Sequence, residues 1–417
     1  MIKMRFLIFV LLVIVLVSQF FLDCRLATAE GKGVYTLEEL ISIALKTNPS
    51  IAVLKANLEA SKGDVLSASA YPNPEIELEG GNGSSLETND SKGEYSTGIG
   101  QPLERPAKRS YRKKAALANV AVAERDLDDF YLQLKSEVRK VFFRLLSDKK
   151  VFDIAKENLK IVNELFNTVD LRVKAGEAPG FELVKAKAEV LMADKELKRA
   201  FNAIAISKAS LNAMLGNSLK DEFDIEGEFK LPDRRYELPA LLSNAMGKHP
   251  LIVKAKKELE AKGYSLEMEK ASLFPDITVK GFFSRELDKE AYGLGIALPI
   301  PIWYQRTGEI ATARGEVLRA EAGVVETTVQ LSRGITESYQ NYLIALDQIN
   351  IFEEGLLKQA KEALRIAEFS YRQGESGLLD YLDAQRVYRT TFIEYYQSFF
   401  ELESSLATLE RVAGGLP

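Results

Sequence analysis

Between residues 131 and 173 the positions Tyr131, Leu134, Val138, Val141, Leu145, Asp148, Phe152, Ala155, Leu159, Val162, Phe166, Val169 and Val173 recur at alternating steps of three and four. Only Asp148 is polar. A 3.5-residue period sustained this far predicts a coiled-coil seam with left-handed winding. At 1.5 Å per residue, a helix of about 70 residues would reach on the order of 100 Å. Tyr388, Phe392, Tyr395, Phe399, Leu402, Leu406 and Leu409 keep the same rhythm near the end of the chain.

Elsewhere the period falls to two, the signature of strands. Ile76 and Leu78 alternate with Glu75, Glu77 and Glu79, and Tyr95, Thr97 and Ile99 share one face. Ile277, Val279 and Gly281 alternate with Asp276, Thr278 and Lys280; Tyr292, Leu294, Ile296 and Leu298 alternate with Gly293, Gly295 and Ala297. These segments predict hairpins over 72–102 and 275–302. Apolar on one face and small or polar on the other, they fit a transmembrane barrel, but a half-buried soluble hairpin gives the same local signal. Four strands cannot close a barrel, which needs about eight or more. If they span a membrane, several chains must share one barrel, and three would supply about twelve strands.

The chain is written twice. "LEELISIALKTNPSIAVLKANLEA" from Leu37 resembles "LPALLSNAMGKHPLIVKAKKELEA" from Leu238, pairing Pro49 with Pro250. Pro102 matches Pro299, Arg109 matches Arg306, Gly176 matches Gly374, Ala186 matches Ala384 and Gly216 matches Gly414. Offsets near 200 residues are too long for a solenoid unit, so this is a duplicated domain. Each half reads as a helix of about 35 residues, two strands, a helix of about 70, a Gly-Glu break and a helix of about 37. The first repeat is assigned to 30–216 with a tip at 174–180. A linker follows at 217–237, and the second repeat takes 238–417 with a tip at 373–378. Gly176 and Gly374 suit a left-handed residue at a helix C-terminus, and Pro179 suits the first turn of the next helix.

Composition narrows the class. The chain has 417 residues, 46% hydrophobic and 28% charged, which is ample for a folded protein of one to three domains. Lys3 and Arg5, the apolar run Phe6 to Val17 and Ala27-Thr28-Ala29 read as a secretory signal over 1–29. Cys24, the single cysteine, falls inside it, and Asp23 before it argues against a lipid-modified cysteine. No other stretch reaches the roughly 20 apolar residues of a spanning helix. The formal net charge of -5 becomes about -7 once Lys3, Arg5, Arg25 and Asp23 leave with the signal, a balance that argues against nucleic-acid binding. The basic run Arg105, Lys108, Arg109, Arg112, Lys113 and Lys114 reads as a solvated first turn or a patch facing anionic headgroups. Trp303 and Tyr304 occupy the matching junction of the second half and suit a bilayer interface as well as ordinary packing.

Catalytic and metal signals are thin. There is no glycine-rich phosphate loop, nucleophile elbow or histidine-centred dyad, and no carboxylate cluster with ligand spacing. His249, the only histidine, precedes Pro250 near a helix kink, where a packed or surface role outweighs ligation. No catalytic, cofactor-binding or metal residue is assigned.

The duplication, Asn48-Pro49 and His249-Pro250, the proline-bounded strand pairs and the break "YRQGESGLLDYLDAQ" together resemble the TolC-like outer-membrane efflux proteins, within them the cation and drug efflux branch. The resemblance implies a mainly α chain with a small β part. Long antiparallel helical hairpins would form an α-barrel in the periplasm, and four strands per chain would join a shared 12-stranded outer-membrane barrel. It implies a homotrimer, an inner-membrane pump and a periplasmic adaptor as partners, and no cofactor. The segment 217–237 with both chain ends would form a belt around the helical cylinder. Matched one position at a time, the family's gate falls on Tyr371, Asp380 and Asp383, where the first repeat has Val173, Glu182 and Lys185. Three copies of the two aspartates would, on the resemblance, ring a constriction and favour cations, whereas from the residues alone a solvated first helical turn is the better explanation. Adaptor contact would fall on the tips, at Arg172, Gly176, Glu177, Arg372, Gly374 and Glu375. Arg105, Lys108, Arg109, Trp303 and Tyr304 would face the membrane interface. An exported coiled-coil scaffold or adaptor without a pore is the competing reading.

Overall fold

The computed structural model describes residues 33–84, 91–220, 222–232, 236–286 and 289–415, so the expected signal segment and Cys24 lie outside the described residues. In chain order the elements are β1 (Val34–Tyr35), α1 (Leu37–Thr47), α2 (Pro49–Ser69), β2 (Glu75–Ser84), β3 (Ser91–Leu103), α3 (Pro106–Lys174), α4 (Gly180–Met214) and β4 (Asp224–Ile225). They continue with α5 (Leu238–Lys248), α6 (Pro250–Ala271), β5 (Ile277–Glu286), β6 (Lys289–Ala297), α7 (Thr307–Ile351), a π-helical turn (Phe352–Leu356), α8 (Leu357–Gln373) and α9 (Leu378–Val412). The chain is mainly α with a small β part.

Three features depart from the sequence reading. The helix of about 35 residues expected at the start of each repeat is two helices, parted at Asn48 (φ -63°, ψ 123°) and at His249 (φ -60°, ψ 132°). The following proline clashes with a helical residue before it and pushes that residue into the extended region. The second long helix, expected to be continuous, is broken into α7 and α8 by the π-helical turn, where Gly355 is extended (φ 171°) and Phe352 is buried. Glycine weakens a helix interior and admits such a turn. Pro179 sits at the N-cap of α4 with extended dihedrals, one position before its first turn.

The compact units do not coincide with the repeats. One unit takes the described residues of 1–49, 134–232 and 344–407; the other takes those of 50–133, 233–343 and 408–417. Each repeat therefore feeds both.

In the first unit β1 pairs in parallel with β4, Val34 opposite Asp224. Lys149 Nζ holds the Asp224 carboxylate at 2.9 Å. From the expected linker, Phe229 enters an aromatic core, stacking on Phe399 at 5.1 Å and on Phe143 at 5.8 Å between ring centroids. Of the expected seam, Leu145, Ala155, Val162 and Val169 are buried, while Phe152, Leu159 and Phe166 are half-buried and Asn158 and Leu165 are buried beside them. A helix with neighbours on two sides buries a stripe wider than a strict two-position seam. The polar intruders are paired: Ser207 Oγ donates to Asp148 at 2.5 Å and Gln385 Nε2 donates to Asn158 Oδ1 at 2.7 Å.

In the second unit the four long strands form one antiparallel sheet in the order β2-β3-β5-β6. β3 pairs with β5, Ile99 opposite Gly281, so the two expected hairpins are joined edge to edge. Within the chain the sheet stays open, with β2 and β6 at its ends.

Candidate functional site: helix tips, sheet faces and junctions

Both tips are built by the same backbone device. At the first, the Glu177 N–H donates to Arg172 O at 2.8 Å and the Gly176 N–H to Val173 O at 3.0 Å, with Gly176 at φ 77°. At the second, the Glu375 N–H donates to Ser370 O at 2.9 Å and the Gly374 N–H to Tyr371 O at 3.1 Å, with Gly374 at φ 78°. This is the Schellman pattern, which satisfies the last carbonyls of a helix and needs a left-handed residue that glycine adopts without strain. Glu177, Gly176, Gly374 and Glu375 are exposed, and exposed Arg372 pairs with Glu368 at 2.6 Å.

Tyr371 lies in the core of this region, with 3% of its surface exposed, among Leu165, Val169, Ala186, Leu378 and Leu382. Its ring stacks on Tyr381 at 5.8 Å and 6° between planes. The Arg172 guanidinium lies 5.2 Å from the Tyr371 ring centroid, and its Nη1 donates to Tyr371 O at 3.4 Å. That contact ties the first tip to the second by a cation over an aromatic face. Burial pushes the Tyr381 hydroxyl up to about 12, with Glu368 adding to it and Arg372 opposing. Burial likewise raises Tyr371, reinforced by Glu182 against the Arg172 charge. Both phenols stay neutral at physiological pH.

Asp380 and Asp383 are exposed. Asp380 accepts the Gly377 N–H at 3.2 Å, capping the first turn of α9, and Asp383 pairs with Arg386. Both line a groove of about 550 Å³ floored by the buried Asn158–Gln385 pair. Lys185, Glu189, Arg386 and Arg389 line the same groove, so three carboxylates meet three cations there. Lys185, the first repeat's counterpart of Asp383, thus shares a wall with the aspartates. Sequence reasoning missed Tyr381 and Arg386; the second stands three residues after Asp383, a spacing that pairs charges along a helix.

In the sheet, cross-strand register sorts the side chains. Ile76, Leu78, Ile99, Val279, Leu294 and Ile296 share one face; Glu75, Glu77, Glu79, Lys280 and Phe282 share the other with Gly98, Gly293 and Gly295. Lys280 pairs with Glu77. The Phe282 ring covers Gly293, where an added Cβ would lie 2.8 Å from it. The apolar face is solvent-exposed in a single chain, Tyr292 to 88% and Leu294 to 87%. A contiguous exposed apolar band of that kind marks an interface with lipid or protein.

At the strand-to-helix junctions the basic run is engaged rather than loose. Arg105 lies 4.2 Å over the Phe274 ring and Arg109 lies 3.7 Å over the Tyr71 ring. Lys108 pairs with Asp276 at 2.7 Å. Arg112 grips Glu104 with two bonds, of 2.6 and 2.9 Å, and donates to Ala68 O and Ala70 O at 3.0 and 3.1 Å. Those two carbonyls belong to the C-terminal end of α2, where a helix lacks its own donors and favours a cation. Trp303 is 92% exposed and Tyr304 beside it is exposed.

Among the described residues no helix is long and apolar enough to cross a membrane, and no group of three or more His, Cys, Asp or Glu side chains is arranged to hold a metal ion.

A family model described as "Outer membrane efflux protein" matches residues 40–217 and 241–415. The chain is 24% identical over 391 residues to the cobalt-zinc-cadmium resistance protein CzcC of Cupriavidus metallidurans, covering 92% of this chain and 91% of that one. It is 23% identical to the pyoverdine export outer membrane protein OpmQ of Pseudomonas aeruginosa, covering 88% of this chain and 78% of that one. In fold it is similar to a crystal structure of a membrane protein from Pseudomonas aeruginosa, with a TM-score of 0.79 at 19% identity, covering 91% of this chain and 90% of that chain.

Proposed function

The chain belongs to the outer membrane efflux protein family, and from that premise we propose that it is the exit duct of a tripartite efflux system. It conducts small solutes, such as metal cations or drugs, passively from an inner-membrane pump and a periplasmic adaptor to the exterior. It is a channel and not an enzyme.

The observation that carries this reading is the open sheet. Two strand edges, β2 and β6, end the four-stranded order, and one exposed apolar face opposes a polar one. Three chains joined edge to edge through those strands make a 12-stranded barrel with the apolar face toward lipid and Glu75, Glu77, Glu79 and Lys280 toward the lumen. The helices supply matching surfaces for a second copy: on α7, exposed Leu318, Ala322, Val325 and Val329 follow heptad steps. Trp303 and Tyr304, with Arg105, Lys108 and Arg109, sit at the membrane interface in this arrangement. A homotrimer should leave the outer membrane only with detergent and should run at three times the chain mass after cross-linking. Release of a soluble monomer by osmotic shock would instead support the pore-free scaffold.

Tyr371, Asp380 and Asp383 form the gate in this reading, and Arg172, Gly176, Glu177, Arg372, Gly374 and Glu375 meet the adaptor. Because Arg386 neutralises Asp383, the gate charge can be altered in both directions. In a planar bilayer, Asp380→Ala with Asp383→Ala is expected to raise conductance and weaken divalent-cation block several-fold. Arg386→Ala, which frees the Asp383 carboxylate, should strengthen the block. If neither variant moves block or conductance, the gate lies elsewhere.

A further inference from the structure

The break between α5 and α6 is clamped to the end of α9 by one imidazole. His249 is 2% exposed. Its Nδ1 accepts the Leu251 N–H at 3.1 Å, capping α6, and its Nε2 lies 3.2 Å from Arg411 O, near the end of α9. Gly414, left-handed at φ 74°, packs so closely that an added Cβ would lie 3.2 Å from the His249 ring. The two bonds fix the tautomer: a backbone N–H requires a lone pair on Nδ1, and a carbonyl requires a proton on Nε2.

The first repeat holds the equivalent joint without a titratable group. Asn48 Nδ2 donates to Met214 O at 2.9 Å and Thr47 Oγ1 donates to Leu215 O at 2.7 Å, beside left-handed Gly216. The duplication has thus kept the joint and changed its chemistry in one copy. An amide keeps its donor and acceptor at every physiological pH. An imidazole does not, because a second proton on Nδ1 sets an N–H against the Leu251 N–H and removes the cap.

We propose that His249 is a proton-operated latch, closed when neutral and released at the α6 end when protonated, giving the second repeat a pH-dependent joint that the first lacks. The charged groups that act on it are Asp129 from α3 and Arg411 from α9, and Asp126 from α3 and Lys254 from α6 act in turn on Asp129. Burial lowers the His249 pKa, against the Arg411 carbonyl bond and the Asp129 charge that raise it, while the Arg411 charge lowers it further. Burial raises Asp129, against His249, Arg411 and Lys254. The sign follows: a group depressed in the closed state lends its stability above its open-state value of about 6.5, and that stability is lost as pH falls toward the closed-state value.

His249 is the only histidine in the chain, so its ring can be followed alone in the tag-free full-length protein in detergent. Imidazole nitrogen NMR should find the Nε2–H tautomer at pH 7.5 and a titration below about 6.5. Amide exchange, corrected for its intrinsic pH dependence, should show protection at Leu251–Val253 falling toward tenfold per pH unit below that point. His249→Asn should make this protection independent of pH. An Nδ1–H tautomer, a titration at or above the ordinary histidine value, or the same pH response in His249→Asn would overturn the latch. Should the Asn variant fail to fold, the tautomer and titration of the unmodified protein decide.

Discussion

Replacing Arg112 with methionine is expected to destabilise the protein by about 3 kcal/mol, the low end for breaking a buried ion pair. Glu104 is the reason. Its side chain is 2% exposed, and Arg112, at 32% exposed, supplies both short bonds to it. Without the guanidinium, the desolvated carboxylate keeps only the Lys108 ammonium at 3.9 Å, and Ala68 O and Ala70 O at the end of α2 lose their donor as well. Lysine should recover only part of the loss, since one ammonium cannot grip a carboxylate in two places and still reach two carbonyls. Pairing Arg112→Met with Glu104→Gln should recover more than either single change allows, because no uncompensated charge remains. Thermal dissociation of the detergent-solubilised protein measures all three; equal transitions for Arg112→Met and the unmodified chain would show that the pair contributes nothing.

The second large effect is expected at Gly216. Alanine there meets two penalties. The left-handed backbone at φ 64° costs a side chain about 1–2 kcal/mol. The new Cβ would also lie 2.5 Å from Thr47 O, a backbone atom that cannot swing aside; forcing such an overlap adds about 1–3 kcal/mol. Gly176 is the built-in control, with φ 77° but nothing within 4 Å of an added Cβ. Gly176→Ala should therefore show the backbone penalty alone. If the two alanine variants melt together, the close approach of the α4 end to the α1–α2 break contributes nothing to stability.

What could be read from the sequence divides by the range of the interaction. The tips were legible because a left-handed glycine after a helix is a local requirement, and the same Schellman bonds appear at both. The strand faces were legible because alternation is local too. The breaks at Asn48 and His249 had a signal in the following prolines, and a single helix was expected only because the apolar spacing continues across them. The π-helical turn at Phe352–Leu356 has no marker beyond Gly355, and helices carry many glycines without breaking. The Arg112 clamp was beyond reach, since two of its acceptors lie 42 and 44 residues away and are carbonyls, which every residue has. The neutralisation of Asp383 by Arg386 was in plain view at a spacing of three. Spacing alone does not say which neighbouring cation a carboxylate takes, since Lys185 and Arg389 line the same groove.

The interleaving of repeats and compact units constrains how this protein can be cut. The chain crosses between units at residues 49/50, 133/134, 232/233, 343/344 and 407/408, and four of those crossings fall inside α2, α3, α7 and α9. No single proteolytic nick or truncation point separates one unit from the other. A fragment ending between the repeats, near residue 230, would carry half of each unit: β2 and β3 without β5 and β6, and the first tip without the second. Neither half-unit has its complete core. Duplication of an ancestral half-chain would have enlarged both units in one event, and from then on neither could be lost, swapped or expressed without the other.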